Sequence, residues 1–177
     1  MSEVEPQVIT PEHRKPHPAL QFCFVRVPYL ITGIIFLAAV TINIVNVVGR
    51  YVFGHALFWA EEVLVFMVVW AVFLSAIAIT FNGAHLSMDL FYAKLKSPWR
   101  QVVNVMIVAS LLASTLFAAA QSYRVVSLYI QNGTVSTAAE IPLYVPHAAL
   151  LVGFSLMSLA VIVRLKDYLR GTFEKSE

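Results

Sequence analysis

Long runs of hydrophobic residues divide the chain into four segments, and short polar stretches separate each segment from the next. The segments fall at about residues 27–49, 60–81, 101–124 and 143–164, with charged side chains only near their ends. A helix needs about 20 apolar residues to cross a bilayer. Because backbone groups in lipid must bond within their own segment, the pattern predicts an all-α membrane protein with four transmembrane helices. The absence of period-2 alternation excludes a transmembrane β-barrel.

The composition points the same way and sets the domain limits. Hydrophobic residues make up 59% of the chain and charged residues 12%, whereas a soluble domain carries roughly 25% charged residues. We expect residues 1–20 to form a disordered cytoplasmic tail, residues 21–170 the four-helix membrane domain, and residues 171–177 a cytoplasmic C-terminal tail. A single cysteine, Cys23, excludes an internal disulfide.

The basic residues predict the orientation of the chain. Arg50 and Arg124 lie on one side of the predicted membrane, and the other ten Lys and Arg residues lie on the opposite side. Since cytoplasmic loops are enriched in Lys and Arg, both termini and the middle loop are predicted to be cytoplasmic. The middle loop, from Gly83 to Lys96, also places Leu86 and Leu90 at helical spacing, which predicts a short amphipathic helix at the membrane interface.

Polar residues inside the predicted spans need partners, because unpaired polar groups are costly in lipid. Asn43, Asn46 and Arg50 share one face of the first span and are expected to point at another helix. In the third span, Ser110, Ser114 and Gln121 also share a face. We interpret both stripes as helix packing rather than an ion path, because no carboxylate joins the first stripe at mid-membrane depth.

The densest polar group opens the second span, where Trp59 is followed at once by Ala60, Glu61 and Glu62. Carboxylates in the first turn of a helix complement the positive end of its dipole. Arg50 is close enough in sequence to pair with Glu61 or Glu62. This group is either a salt bridge that fixes the hairpin or an electrostatic contact with a partner subunit, and the two interpretations are compatible.

Three functions are compatible with a four-helix membrane protein of this kind: a scaffold subunit of a transporter, a four-helix membrane anchor of a redox complex, and a small self-assembling exporter. The redox anchor needs histidine pairs at matched depth, and only His55 with His147 comes near. The exporter needs a buried carboxylate within a span, and the sequence offers none. Phosphate-binding, zinc-binding and nucleophile motifs are also missing, so we expect no enzyme activity, no cofactor or metal, and no nucleic-acid partner.

The stretch from Asn43 to Leu90 resembles the DctQ-like small membrane subunit of tripartite ATP-independent periplasmic (TRAP) transporters. An Arg-Tyr pair, Arg50-Tyr51, ends the first span, and the second span starts with Trp-x-Glu-Glu. A His-x-x-x-Asp pattern follows that span. The residues that carry the resemblance include Asn46, Arg50, Trp59, Glu61, Glu62, Trp70, His85 and Asp89. One departure is Ser75, where the family pattern has glycine.

The resemblance implies a subunit of a bacterial inner-membrane transporter that is driven by sodium rather than ATP. It implies an obligate large polytopic membrane subunit, which holds the solute and sodium sites, and a periplasmic substrate-binding protein that docks transiently. The solute would bear a carboxylate, as dicarboxylates and sialic acid do. The small subunit would act as a scaffold, in contact with the partner and with membrane lipids.

Overall fold

The computed structural model describes residues 17–83 and 97–170, which form four long helices and one short one. The helices are α1 (Pro18–Val52), α2 (Ala60–Phe81), α3 (Ser97–Asn132), α4 (Tyr144–Val163) and α5 (Leu165–Arg170). Each of the four long helices is long and apolar enough to cross a membrane. The prediction of an all-α protein with four spanning helices is therefore confirmed.

Two of the helices continue well beyond their apolar segments. Helix α1 has 35 residues, and a π-helical turn from Phe22 to Arg26 interrupts it near its start. Helical structure begins at Pro18, inside the stretch assigned to the N-terminal tail. Helix α3 has 36 residues, or about 54 Å at 1.5 Å per residue, against a hydrocarbon core of about 30 Å. Residues 1–16 and 171–177 and most of the predicted interfacial helix lie outside the described residues, and those assignments stay predictions.

The main helix contacts follow the order α1–α2–α4–α3. Helices α1 and α3 therefore stand at the two ends of an open row, while α2 and α4 occupy its middle. Burial follows this order, since α4 has the largest buried share of the four spans and α1 the smallest. A row leaves more helix surface uncovered than a closed bundle of four helices does, and that surface is available to lipid or to another protein.

The described residues form two hydrophobic clusters, one between α2, α4 and the start of α1, and one between α3, α4 and α5. Gly153 of α4 packs directly on Phe73, and a Cβ atom at Gly153 would lie 2.7 Å from Phe73 Cδ1. Phe24, in the π-helical turn of α1, stacks on Phe81 with ring centroids 5.2 Å apart. Glycine at position 153 thus lets the two middle helices approach closely, while the start of α1 covers the end of α2.

A buried polar cluster joins α2 to the segment after α4. Arg164 donates to the Phe81 carbonyl oxygen at 3.3 Å and to the Asp167 carboxylate at 2.9 Å. The Tyr168 hydroxyl donates to the Thr80 carbonyl oxygen. The last carbonyl groups of a helix have no partner within it, so Arg164 and Tyr168 supply the missing donors at the end of α2. We call this cluster the inner lock, after its predicted cytoplasmic position.

Candidate functional site

The predicted site residues concentrate where α1 ends and α2 begins. We call this end of the protein the outer rim, after its predicted orientation. Arg50 Nη2 lies 3.0 Å from Glu61 Oε1, so the structure joins the two side chains that the sequence placed in reach of each other. The side chains remain 49% and 74% exposed, respectively. An exposed ion pair of this kind adds only about 0.2–1 kcal/mol to folding, which leaves its charges available to a partner.

Asn46 stabilises the connection between α1 and α2 through a hydrogen bond to its backbone. It is buried, and its Oδ1 atom accepts a hydrogen bond of 2.8 Å from the backbone N–H of Leu57. Nearby, the backbone N–H of His55 donates a hydrogen bond of 2.9 Å to the carbonyl oxygen of Gly49. A Cβ atom at Gly49 would lie 2.8 Å from the His55 carbonyl oxygen. The hairpin therefore depends on an amide at position 46 and on the lack of a side chain at position 49.

Glu62 has a different role from its neighbour Glu61. Its carboxylate accepts hydrogen bonds from the backbone N–H of Ala138, at 3.1 Å, and from that of Ala139, at 2.8 Å. These residues belong to the loop between α3 and α4. An antiparallel β-bridge between Val135 and Pro142 brings the two ends of this loop together. Glu62 therefore fixes the second connection of the outer rim to the first turn of α2.

The two candidate tryptophans lie at different depths of α2. Trp59 precedes the first residue of the helix and is 41% exposed. Trp70 lies about 15 Å further along α2, taking 1.5 Å per residue from Ala60. With Ile35, Phe66 and Val145, among other residues, it lines an apolar groove of about 220 Å³ between α1, α2 and the start of α4. Trp59 fits the interface position that aromatic residues favour.

Several residues in the polar stripes of the first and third spans are exposed, whereas the sequence predicted that they pack against another helix. Asn43 is exposed and makes no side-chain hydrogen bond to another described residue, although Asn46 and Arg50 of the same stripe do. Ser110, Ser114 and Gln121 are exposed as well. The helix packing expected for these stripes is therefore incomplete within this chain, because α1 and α3 stand at the ends of the row and each uses a single face.

Of the remaining candidates, His85 and Asp89 lie outside the described residues. His55 is exposed in the connection between α1 and α2. The Nδ1 atom of His147 lies 2.8 Å from the Leu143 carbonyl oxygen, and its ring packs on Tyr129. Among residues 17–83 and 97–170, no three His, Cys, Asp or Glu side chains form a group able to hold a metal ion.

The structure also contains polar residues that the sequence analysis passed over. The inner lock places Arg164 and Tyr168 in buried positions, although both follow the last residue of α4. Ser158 donates to Thr115 at 2.9 Å across the α3–α4 contact. The sequence signal for Thr115 and Ser158 was available, since both are polar residues in the middle of apolar runs. No comparable signal marked Tyr168, because tyrosine at a membrane edge is ordinary.

Taken together, these contacts make the outer rim a structural site that connects the helix ends and loops of this chain. Its carboxylates accept hydrogen bonds from an arginine and from backbone N–H groups, and both stand in the first turn of α2. Within the described parts of the four spans, Glu61 and Glu62 are the only carboxylates. Mid-membrane acidic groups mark the ion and proton pathways of many transporters, and none is present along the described spans of this chain.

Comparison with known proteins gives two similarities. The family model described as "Tripartite ATP-independent periplasmic transporters, DctQ component" matches residues 39–171. The chain is also similar to the isethionate TRAP transporter permease protein DctMQ of Oleidesulfovibrio alaskensis, with 24% identity over 149 residues. That match covers 81% of this chain but 23% of the relative, so the chain spans less than a quarter of the relative's length. Because the family model covers most of the chain, including the whole outer rim, this protein belongs to the DctQ component family of TRAP transporters.

Proposed function

We propose that this chain scaffolds the large membrane subunit of a sodium-driven, binding-protein-dependent TRAP transporter. Membership of the DctQ family supports a role as the small permease subunit of a TRAP transporter. The observation that carries the scaffold role is the position of its charges, because the carboxylates in the described parts of the spans are confined to the outer rim. A chain that carried a charged solute by itself is expected to have ionisable groups near the middle of the membrane.

The partner that we propose is a large polytopic membrane subunit, bound permanently. The relative named DctMQ supports this partner, because this chain matches only 23% of a single longer permease polypeptide. The open row of helices supports it too, since polar side chains within the described spans, such as Asn43 and Gln121, are exposed at the surface of this chain. We further propose that a periplasmic substrate-binding protein docks transiently on the complex, and that membrane lipids cover the remaining helix surface.

The solute is proposed to be a small organic acid with a carboxylate group, of the dicarboxylate or sialic acid type. The DctMQ relative is named for isethionate, which carries a sulfonate rather than a carboxylate, and both groups are organic anions. On this proposal the large subunit and the binding protein recognise the solute. The complex would lie in the bacterial cytoplasmic membrane with both termini of this chain in the cytoplasm, as the ten-to-two distribution of Lys and Arg predicts.

Co-purification followed by reconstitution tests this function. We expect a large polytopic membrane protein to co-purify with the affinity-tagged chain after extraction in mild detergent. We expect proteoliposomes that hold both proteins to take up the solute only with the binding protein and an inward sodium gradient. Proteoliposomes with this chain alone should show no uptake. Recovery of the chain only as a free monomer, or sodium-dependent uptake by the chain alone, would overturn the proposal.

A further inference from the structure

One face of the α1–α2 pair combines a regular stripe of exposed valines with polar groups. Starting from Glu61, the residues at i+4, i+7 and i+11 are Val65, Val68 and Val72. This spacing keeps all four on one side of α2. The three valines are 56–59% exposed. We call this stripe, together with Asn43 and the Arg50–Glu61 pair, the valine face.

The Arg50–Glu61 ion pair indicates that Asn43 lies on the same side of the α1–α2 pair as the valine stripe. Asn43 and Arg50 are seven residues apart, which places them on the same side of α1. Arg50 contacts Glu61, the first residue of the stripe on α2. The side of α1 that carries Asn43 therefore adjoins the side of α2 that carries the valines. At 1.5 Å per residue, Asn43 stands about 10.5 Å further towards the membrane interior than Arg50.

The opposite side of α2 is already in use. Phe24 stacks on Phe81 there, and Trp70 lines the apolar groove with Ile35 and Val145. The far side of α1 differs again, since it exposes the bulky and flexible residues Leu30 and Leu37. Among these surfaces of α1 and α2, the valine face alone combines a continuous helical stripe with polar side chains below its rim.

The chemistry of the valine face fits another protein better than lipid. Valine is stiff at χ1, so it loses little side-chain freedom when a neighbouring helix packs against it. The Asn43 amide has two donors and an acceptor, and lipid tails offer no partner for them. Interhelical hydrogen bonds from asparagine are a known source of helix association in membranes. The exposed Arg50–Glu61 pair adds charges that a complementary partner can meet at the outer rim.

From these features we infer that the valine face is the surface on which the large permease subunit docks, through a membrane helix carrying a hydrogen-bonding side chain level with Asn43. The inference rests on the proposed function, since it takes the large subunit as the partner. The match of this chain to part of a single longer permease polypeptide supplies that partner. Helix α3, with exposed Ser110, Ser114 and Gln121, is the alternative docking surface, and the test must distinguish it from the valine face.

The test compares substitutions on the valine face with matched substitutions elsewhere, in the complex of full-length chains. Val68→Trp places a bulky ring in the stripe, and we expect the yield of co-purified large subunit to fall about tenfold. Asn43→Leu removes the amide and should lower the yield about threefold. Leu37→Trp, on the far side of α1, is the control and should leave the yield unchanged. Unfolding of each variant without its partner, measured in detergent, separates lost docking from lost folding.

A cross-linking measurement covers the case in which a variant folds poorly. A photoreactive amino acid at Val68 should give a covalent product with the large subunit, and the same amino acid at Leu37 should not. If wild-type chain does not co-purify with the large subunit, the proposed function itself fails. If wild-type chain does co-purify, the valine face is overturned when Val68→Trp and Asn43→Leu bind normally. It is also overturned when only Gln121→Leu on α3 lowers the yield.

Discussion

Glu61 and Glu62 are adjacent in the chain and yet hold different parts of the outer rim. Neighbouring residues of a helix point about 100° apart, so one carboxylate turns towards Arg50 and the other towards the loop after α3. A single short motif at the start of α2 therefore fixes two connections. Substitutions of single residues separate these contributions.

Replacing Glu62 with glutamine tests its hold on the loop. Glutamine keeps one acceptor oxygen but loses the negative charge, so the charge-assisted hydrogen bonds from the N–H groups of Ala138 and Ala139 become weaker neutral ones. We expect amide hydrogen exchange at these two residues to become about tenfold faster, since loop amides open locally. Glu61→Gln is the matched control and should leave their exchange unchanged. Equal exchange in both variants would remove Glu62 from this role.

Gly153 tests the close contact between the two middle helices. In Gly153→Ala the new methyl group would meet Phe73 at 2.7 Å, and we expect a loss of about 1–3 kcal/mol in unfolding free energy from overpacking. Gly33→Ala is the control, because no atom lies within 4 Å of a Cβ at that position. Thermal unfolding in detergent compares the two. A stable Gly153→Ala variant would show that Phe73 moves aside without cost.

At the scale of the elements, the inner lock connects the end of α2 to α5. Burial raises the pKa of Tyr168 to about 12, and nearby Arg164 offsets part of this effect. Tyr168 donates to a carbonyl oxygen, so it must be protonated to hold α2. The pKa is higher in the folded protein than the ordinary value of about 10. The contribution of Tyr168 is thus complete below pH 10 and is lost as the pH rises from 10 to 12.

Tyr168→Phe removes this donor and leaves the Thr80 carbonyl group without its tyrosine partner. We expect a loss of about 1–3 kcal/mol in unfolding free energy at neutral pH. The variant should also lose less stability than wild type between pH 10 and 12, because the group that titrates there is gone. Tyr123→Phe, at an exposed position, serves as the control. Unfolding in detergent across this pH range gives both readouts, and parallel curves for Tyr168→Phe and wild type would contradict the assignment.

At the scale of the whole molecule, the open row of helices leaves the Arg50–Glu61 pair on a face that a partner can cover. We expect Arg50→Glu to change the stability of the isolated chain by no more than about 1 kcal/mol, because the pair is exposed. The yield of the complex and solute uptake should each fall about tenfold, because two like charges then face the partner. The double variant Arg50→Glu with Glu61→Arg should recover part of both. Normal yield and normal uptake in Arg50→Glu would show that the ion pair has no role in assembly of the complex.

The orientation of the chain is also a property of the whole molecule. In a Cys23→Ser background, we expect a membrane-impermeant maleimide to label Thr134→Cys in intact spheroplasts. Ser176→Cys should react only after the membrane is permeabilised. The physical reason is the excess of Lys and Arg at the termini and in the middle loop. The opposite labelling pattern would show that the chain is inserted the other way round.

The sequence by itself determined the four spanning helices and the approximate place of the site. Apolar runs of this length have no other stable form in a bilayer, and the spacing of Arg50 and Glu61 already placed them within reach. The turn after α3 is also a local feature, because Gly133 has a positive φ of 60°, which glycine adopts readily. These features depend on residues that are close together in the chain, so they can be predicted from the sequence alone.

Only the tertiary structure decided how the helices are ordered and which polar groups they satisfy. The row α1–α2–α4–α3, the hold of Glu62 on a loop 76 residues away, and the inner lock all join distant parts of the chain. Hydrophobic patterns specify that an apolar face is buried without specifying its partner, because the hydrophobic effect is non-directional. The same limit explains why Asn43 and Gln121 were expected to meet helices of this chain, whereas the folded chain leaves them exposed.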